Sequence, residues 1–184
     1  MDWYALVKFL HIACAVVWLG GGFTLMLLAV RADRAGNVDS MLQAMRATGE
    51  LGNRLFAPLS LLTLAFGLIL CGVWVGFSDL WVVIGLAGYA VTFSVGMLVF
   101  KPTADRMARI IARDGVTPAA LAQGQRILSA ARFDYSVMLV IVADMVLKPT
   151  REDGFVLGAM ALVLLGGAAL ALSNNARATR LAHA

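Results

Sequence analysis

Charge is scarce in this chain of 184 residues: Asp, Glu, Lys and Arg together make up 14%, against roughly 25% in soluble domains. A water-soluble globule needs more polar surface than that. Hydrophobic residues reach 61% and mean hydropathy is +0.84, which strengthens the exclusion. Cysteine is scarce too. Cys14 and Cys71 both fall inside apolar stretches and form no C-x-x-C pair, so a disulfide-stapled secreted fold is excluded. Histidine occurs only at His11 and His183. No Ser/His/Asp set, nucleotide-binding loop or H-E-x-x-H is present, and no basic run interleaved with aromatics points to nucleic acid.

What is present is a series of apolar blocks, each near the ~20 residues a helix needs to cross a bilayer. They predict an all-α, polytopic membrane helix bundle, a single integral membrane domain over residues 1–184. Its five transmembrane helices fall at about 3–30, 54–75, 80–100, 133–147 and 154–172. Asp2 stands where a signal peptide would be basic, and the first apolar block is far longer than a signal's, so it reads as a retained helix. Asn53 is placed to cap the second span, with Pro58 in its first turn, and Lys101-Pro102 to stop or kink the third. The polar stretches hold amphipathic pieces. Met41, Leu42 and Met45 share one face, as do Met107, Ile110 and Ile111, with Asp105 and Arg109 an i,i+4 pair opposite. Met41-x-x-x-Met45 reads as a bundle- or membrane-facing stripe rather than a copper pair. Thr117-Pro118 opens a helix expected to run unbroken to Leu147, where Lys148-Pro149-Thr150 closes it.

Orientation follows from the positive charges. With the N-terminus outside and the C-terminus inside, every Lys and Arg except Lys8, Lys148 and Arg151 falls in the cytoplasmic loops, 31–53 and 101–132, at the inner helix ends or in the tail. Such a chain belongs in a bacterial inner membrane, with the lipid bilayer as its surroundings and a homo-oligomer or larger membrane complex as its setting. Trp3, Trp74 and Trp81 fit an outer aromatic belt. Gly20-Gly21-Gly22, Gly72-x-x-x-Gly76, Gly85-x-x-Gly88 and Gly154-x-x-x-Gly158 offer places where helices approach closely, or where a flat ring is accommodated.

Ionisable groups within spans are costly and each needs a reason. There are four: Lys8, His11, Asp134 and Asp144. His11 is eight residues beyond Trp3, ~12 Å inward at ~1.5 Å per residue, and shares a helix face with Lys8. Its imidazole is suited to ligate haem iron or copper, or to relay protons. The plainer alternative is a hydrogen bond to a backbone carbonyl or to Asp144. Asp144 is expected to pair with Lys148 or Lys8, with a proton relay as the alternative. Asp134 is expected at the inner interface beside an arginine. His11 has no second membrane histidine, so bis-histidine haem ligation within one chain is excluded.

The segment Lys8-Phe9-Leu10-His11-Ile12-Ala13-Cys14-Ala15-Val16-Val17-Trp18-Leu19-Gly20-Gly21 resembles the first helix of the HemJ-type protoporphyrinogen oxidases and of the CopD-like copper-resistance membrane proteins. Asp144-Met145-Val146-Leu147-Lys148-Pro149 resembles the HemJ-type V-x-K-P close. With Asn53-Arg54-Leu55-Phe56-Ala57-Pro58, the pattern over about 3–149 is most similar to an uncharacterised bacterial family of predicted integral membrane proteins. The HemJ resemblance implies haem b bound through His11, with Lys8 and Asp144 tuning the site. The third span lacks that type's lysine and second histidine, which argues against protoporphyrinogen oxidation. The other readings are a non-catalytic membrane subunit or assembly factor and, less favoured, copper transport or resistance.

Overall fold

The computed structural model describes residues 1–181, with side chains through Ser173; His183 lies outside the described residues. Among them every regular element is helical. The chain forms two compact units, Met1–Val82 and Val83–Ala184.

In the first unit, Asp2 caps helix α1 (Trp3–Arg34) by accepting from the Ala5 N–H at 3.1 Å. At ~1.5 Å per residue its 32 residues span ~48 Å, longer than a perpendicular crossing of a ~30 Å hydrocarbon core needs. Gly36, at φ 66°, turns the chain. Asn37 then caps α2 (Val38–Leu51) through the Ser40 N–H at 3.0 Å. The amphipathic face forms as expected: Met41, Leu42 and Met45 are buried, and α2 lies against α1, where Ala29 and Ala32 are buried. α3 (Ala57–Leu70) also packs on α1.

Neither the expected cap at Asn53 nor the expected stop at Lys101-Pro102 ends a helix. Asn53 caps nothing. It sits in a π-helical turn, Gly52–Phe56, that joins α2 to α3 in one helix running from Val38 to Val75. Lys101-Pro102 likewise follows a π turn, Gly96–Phe100, through which α4 (Leu80–Val95) continues into α5 (Lys101–Asp114). The same physics operates twice. The Ala57 N–H reaches back five residues to the Gly52 carbonyl, and the Lys101 N–H to Gly96. A proline follows each, Pro58 and Pro102. Proline costs ~3 kcal/mol inside a regular helix because it lacks a donor and its ring strikes a carbonyl one turn back. The widened turn shifts the hydrogen-bond frame and that carbonyl together, so the helix passes through. Both sites read Gly-x-x-x-Phe-x-Pro.

The second unit is built on α6 (Pro118–Leu147), which packs against α5 and α7 (Gly154–Leu181). Thr117 caps α6, accepting from the Ala120 N–H at 3.4 Å. At the other end Lys148, left-handed at φ 47°, donates its N–H to the Asp144 carbonyl at 2.8 Å. The helix is unbroken between these points, as expected. Its inner stripe includes Ala120, Gly124, Leu128, Ala131, Val137 and Val140. Ser129 donates to the Ala171 carbonyl at 2.6 Å, tying α6 to α7. The Asp105–Arg109 pair does not form; Arg113 instead binds its neighbour Asp114 at 2.7 Å.

Among the described residues four helices are long and apolar enough to cross a membrane: Trp3–Arg34, Val38–Val75, Leu80–Asp114 and Gly154–Ser173. The expected fourth span of five, 133–147, is not among them. Its helix forms, but this stretch carries Asp134 and Asp144 with Arg132 just before it; one side is buried in its unit, while Leu139, Val142, Val146 and Leu147 are exposed. The four helices likewise turn large apolar groups outward, such as Phe9 and Val16 on α1, Leu61 on α3 and Phe155 and Leu165 on α7. That polarity suits hydrocarbon, not water.

Of the glycine pairs, Gly85 and Gly88 serve close packing. A Cβ on Gly88 would lie 2.6 Å from Ile141 of α6. Gly72, Gly76, Gly154 and Gly158 have open space where a Cβ would stand, so those pairs make no close helix contact.

Candidate functional site

His11 and its partners lie in the first unit. The helix spacing turns His11 of α1 toward α3, where its Nδ1 is 2.7 Å from the Thr63 carbonyl oxygen. A carbonyl only accepts, so Nδ1 carries the hydrogen and donates it. In the neutral ring Nε2 is then left with a lone pair. Thr63 and Gly67 are one turn apart on α3, and the ring lies against Gly67. A Cβ there would stand 3.1 Å from His11 Cε1 and 3.3 Å from Nδ1. Thr63 directs its own hydroxyl to the Leu59 carbonyl at 2.8 Å, so its carbonyl, not its side chain, holds the imidazole. The half-buried ring is therefore oriented at one nitrogen and chemically open at the other.

Lys8 does not turn to His11. Its ammonium lies 4.7 Å from the centroid of the Tyr4 ring, one turn toward the N-terminus, and Tyr4 meets Trp74 edge-on at 5.6 Å. This cation–π contact places the charge toward the helix end, as a snorkelling lysine requires. Cys14 and Cys71 are both free. Among the described residues no group of three His, Cys, Asp or Glu side chains is disposed to hold a metal ion.

In the second unit the two aspartates of α6 depart from expectation. Asp144 is 0% exposed, and neither carboxyl oxygen has a hydrogen-bond partner. It does not pair with Lys148, whose backbone N–H binds the Asp144 main-chain carbonyl instead. The neighbour across from it is Gly85 of α4, whose Cβ position lies 3.5 Å from Oδ2. Asp134 is neither solvated nor paired with arginine. It is 2% exposed, with the buried Thr92 hydroxyl as its polar neighbour, and Oδ1 has no partner. The cause lies in the helix. α6 is innermost in its unit, so side chains on its inner stripe are enclosed whatever their chemistry.

Residues 5–149 match the family described as Predicted integral membrane protein (DUF2269). The chain belongs to that family. It is a multi-pass integral membrane protein. No curated protein and no solved structure matches it. The family segment contains His11, Thr63, Gly67, Asp134 and Asp144 and stops at Pro149, where α6 has just been capped; α7 of this DUF2269 protein lies beyond it. Thr63 and Gly67 escape a search for ionisable groups. Their signal is a hydroxyl residue and a glycine one turn apart in an otherwise apolar span.

Proposed function

We propose that this DUF2269 protein is a five-span, N-out/C-in protein of a bacterial inner membrane that holds haem b, or failing that a metal ion, through Nε2 of His11. The observation that carries this reading is the 2.7 Å hydrogen bond between Nδ1 and the Thr63 carbonyl. Such a bond from the far nitrogen is the usual support for an imidazole ligand, fixing its tautomer and ring plane and raising the basicity of the ligating nitrogen. Haem asks one axial imidazole of a chain, which His11 is suited to supply. A chelated ion asks for several donors, and the described residues gather no such group, which also disfavours copper. Haem, when bound, would supply one-electron chemistry. The chain's own residues would do the positioning: Thr63 sets the ring plane and Gly67 gives it room. A second ligand, where one is used, would come from Met, Cys, Lys or another subunit. The orientation, and the reading of 133–147 as a span, rest on the distribution of Lys and Arg.

The test is absorbance of the gently solubilised full-length protein supplied with haem. A Soret band that is lost in His11→Ala supports the reading; a colourless preparation refutes it. One observation favours the second reading, a non-catalytic membrane subunit or assembly factor: the His11–Thr63 bond is complete without any cofactor. A stoichiometric partner co-purifying with colourless protein is what that reading expects.

A further inference from the structure

Asp144 is a fully enclosed carboxyl to which the haem reading gives no role within its own unit. Three occupants are conceivable for such a group: a cationic side chain, a metal cation or a proton. A cationic side chain of a partner has no route to it, because both oxygens are inaccessible and α4 closes over Oδ2 at Gly85. A metal cation needs several oxygen ligands, and among the described residues Asp144 belongs to no group of three His, Cys, Asp or Glu side chains. A proton needs one oxygen and no partner. An isolated ionised carboxylate away from water is too costly to persist, and such a group neutralises instead.

We propose that Asp144 is a proton-binding site. Its carboxyl holds a proton while α4 and α6 are closed and exchanges it with water at the 148–153 loop. Loop access is close: Asp144 lies three residues before Leu147, ~5 Å along the helix. The step is the association of one carboxylate with one hydrogen ion taken from that water, and its reversal returns it.

The surroundings within the unit support this assignment. α4 from Val83 to Val95 contributes one titratable group, Tyr89, and α7 from Gly154 to Ser173 contributes none. The ionisable groups of α5, Lys101 to Asp114, are on the helix that the short 115–117 link joins to the far, Pro118 end of α6. On α6 itself Asp134 lies ten residues away, ~15 Å along the axis. Beyond the helix end Lys148, Arg151 and Glu152 are exposed, and Asp153 is engaged by Thr150. No cation of the unit therefore stands in place to hold Asp144 ionised.

The proposal is independent of haem and is tested without it. Full-length protein in detergent, with aspartate labelled in its carboxyl carbon, is titrated by infrared spectroscopy and compared with Asp134→Asn and Asp144→Asn. The expected result is a protonated-carboxyl band in wild type at neutral pH that fades as pH rises, persists in Asp134→Asn and is diminished in Asp144→Asn, where the equally enclosed Asp134 remains. Absence of any such band from wild type at neutral pH overturns the proposal, and that outcome needs no variant to fold. A band undiminished in Asp144→Asn overturns it as well. So does a band abolished by sodium chloride at constant pH, which would make a metal cation the ligand.

Discussion

Gly166 and Gly167 of α7 are adjacent and differ in one respect, what a methyl group would meet. At Gly166 a Cβ meets nothing within 4 Å. At Gly167 it collides with Ser136 of α6, whose Oγ and Cβ are both too near, the Cβ at 2.5 Å. Ordinary carbon contacts begin ~1 Å further out. Ser136 Cβ is fixed to its backbone and cannot swing aside, so α6 and α7 must separate. Overpacking of this kind costs about 1–3 kcal/mol. Alanine also gains about 1 kcal/mol over glycine in a helix, which opposes the clash. Gly167→Ala is therefore expected to lose about 0–2 kcal/mol, and Gly166→Ala to be neutral or to gain up to about 1 kcal/mol. Reversible unfolding in mixed micelles, followed by circular dichroism, measures both. Ser136→Gly placed in the Gly167→Ala background should restore much of the loss, because it removes the atom struck. If the two alanine variants stabilise equally and Ser136→Gly rescues nothing, α6 and α7 do not pack as described.

Thr117→Ala removes the cap of α6 and is expected to cost about 1 kcal/mol in the same unfolding assay. Asp153 accepts from the Thr150 N–H at 2.7 Å and its hydroxyl at 2.8 Å, and these bonds hold its carboxyl below the usual carboxylate range. A group so lowered stabilises the fold above its unfolded value, near ~3.9, and loses that contribution as pH falls through the lower folded value. Asp153→Asn should therefore flatten the acid limb of a stability–pH curve, and an unchanged limb would remove Asp153 from it. Gly67→Val, which crowds the His11 ring, is expected to weaken haem retention without abolishing membrane insertion, read as pigment per folded protein. Equal pigment in Gly67→Val and wild type would mean the ring plane does not matter.

The helix-forming logic of α6 and α2 is plain in the residues themselves. Thr117-Pro118 announces the start of α6, Lys148-Pro149 its end, and Met41 and Met45 the buried face of α2. The π turns are less visible. Pro58 looks like the first turn of a new helix and Lys101-Pro102 like a stop or kink, and only the shifted hydrogen-bond frame behind each proline shows why the helix continues. The burial of Asp134 is invisible for another reason. Depth along a helix can be counted from sequence, but which side is enclosed depends on which neighbours cover it, and Arg126 and Arg132 made a solvated pair the cheaper expectation. His11 was legible as the residue that needs explaining. Its partner was not, because a backbone carbonyl carries no side-chain signature and Thr63 is brought to the ring by the packing of α1 on α3.

The central claim is that Nε2 of His11 ligates a prosthetic group, and ligand replacement tests it most directly. His11→Gly removes the imidazole and leaves room for a free one. With haem supplied, the variant should lack the Soret band of wild type, and added imidazole should restore it. A wild type that takes up no haem, or a variant that binds haem as well as wild type before any imidazole is added, would contradict the claim.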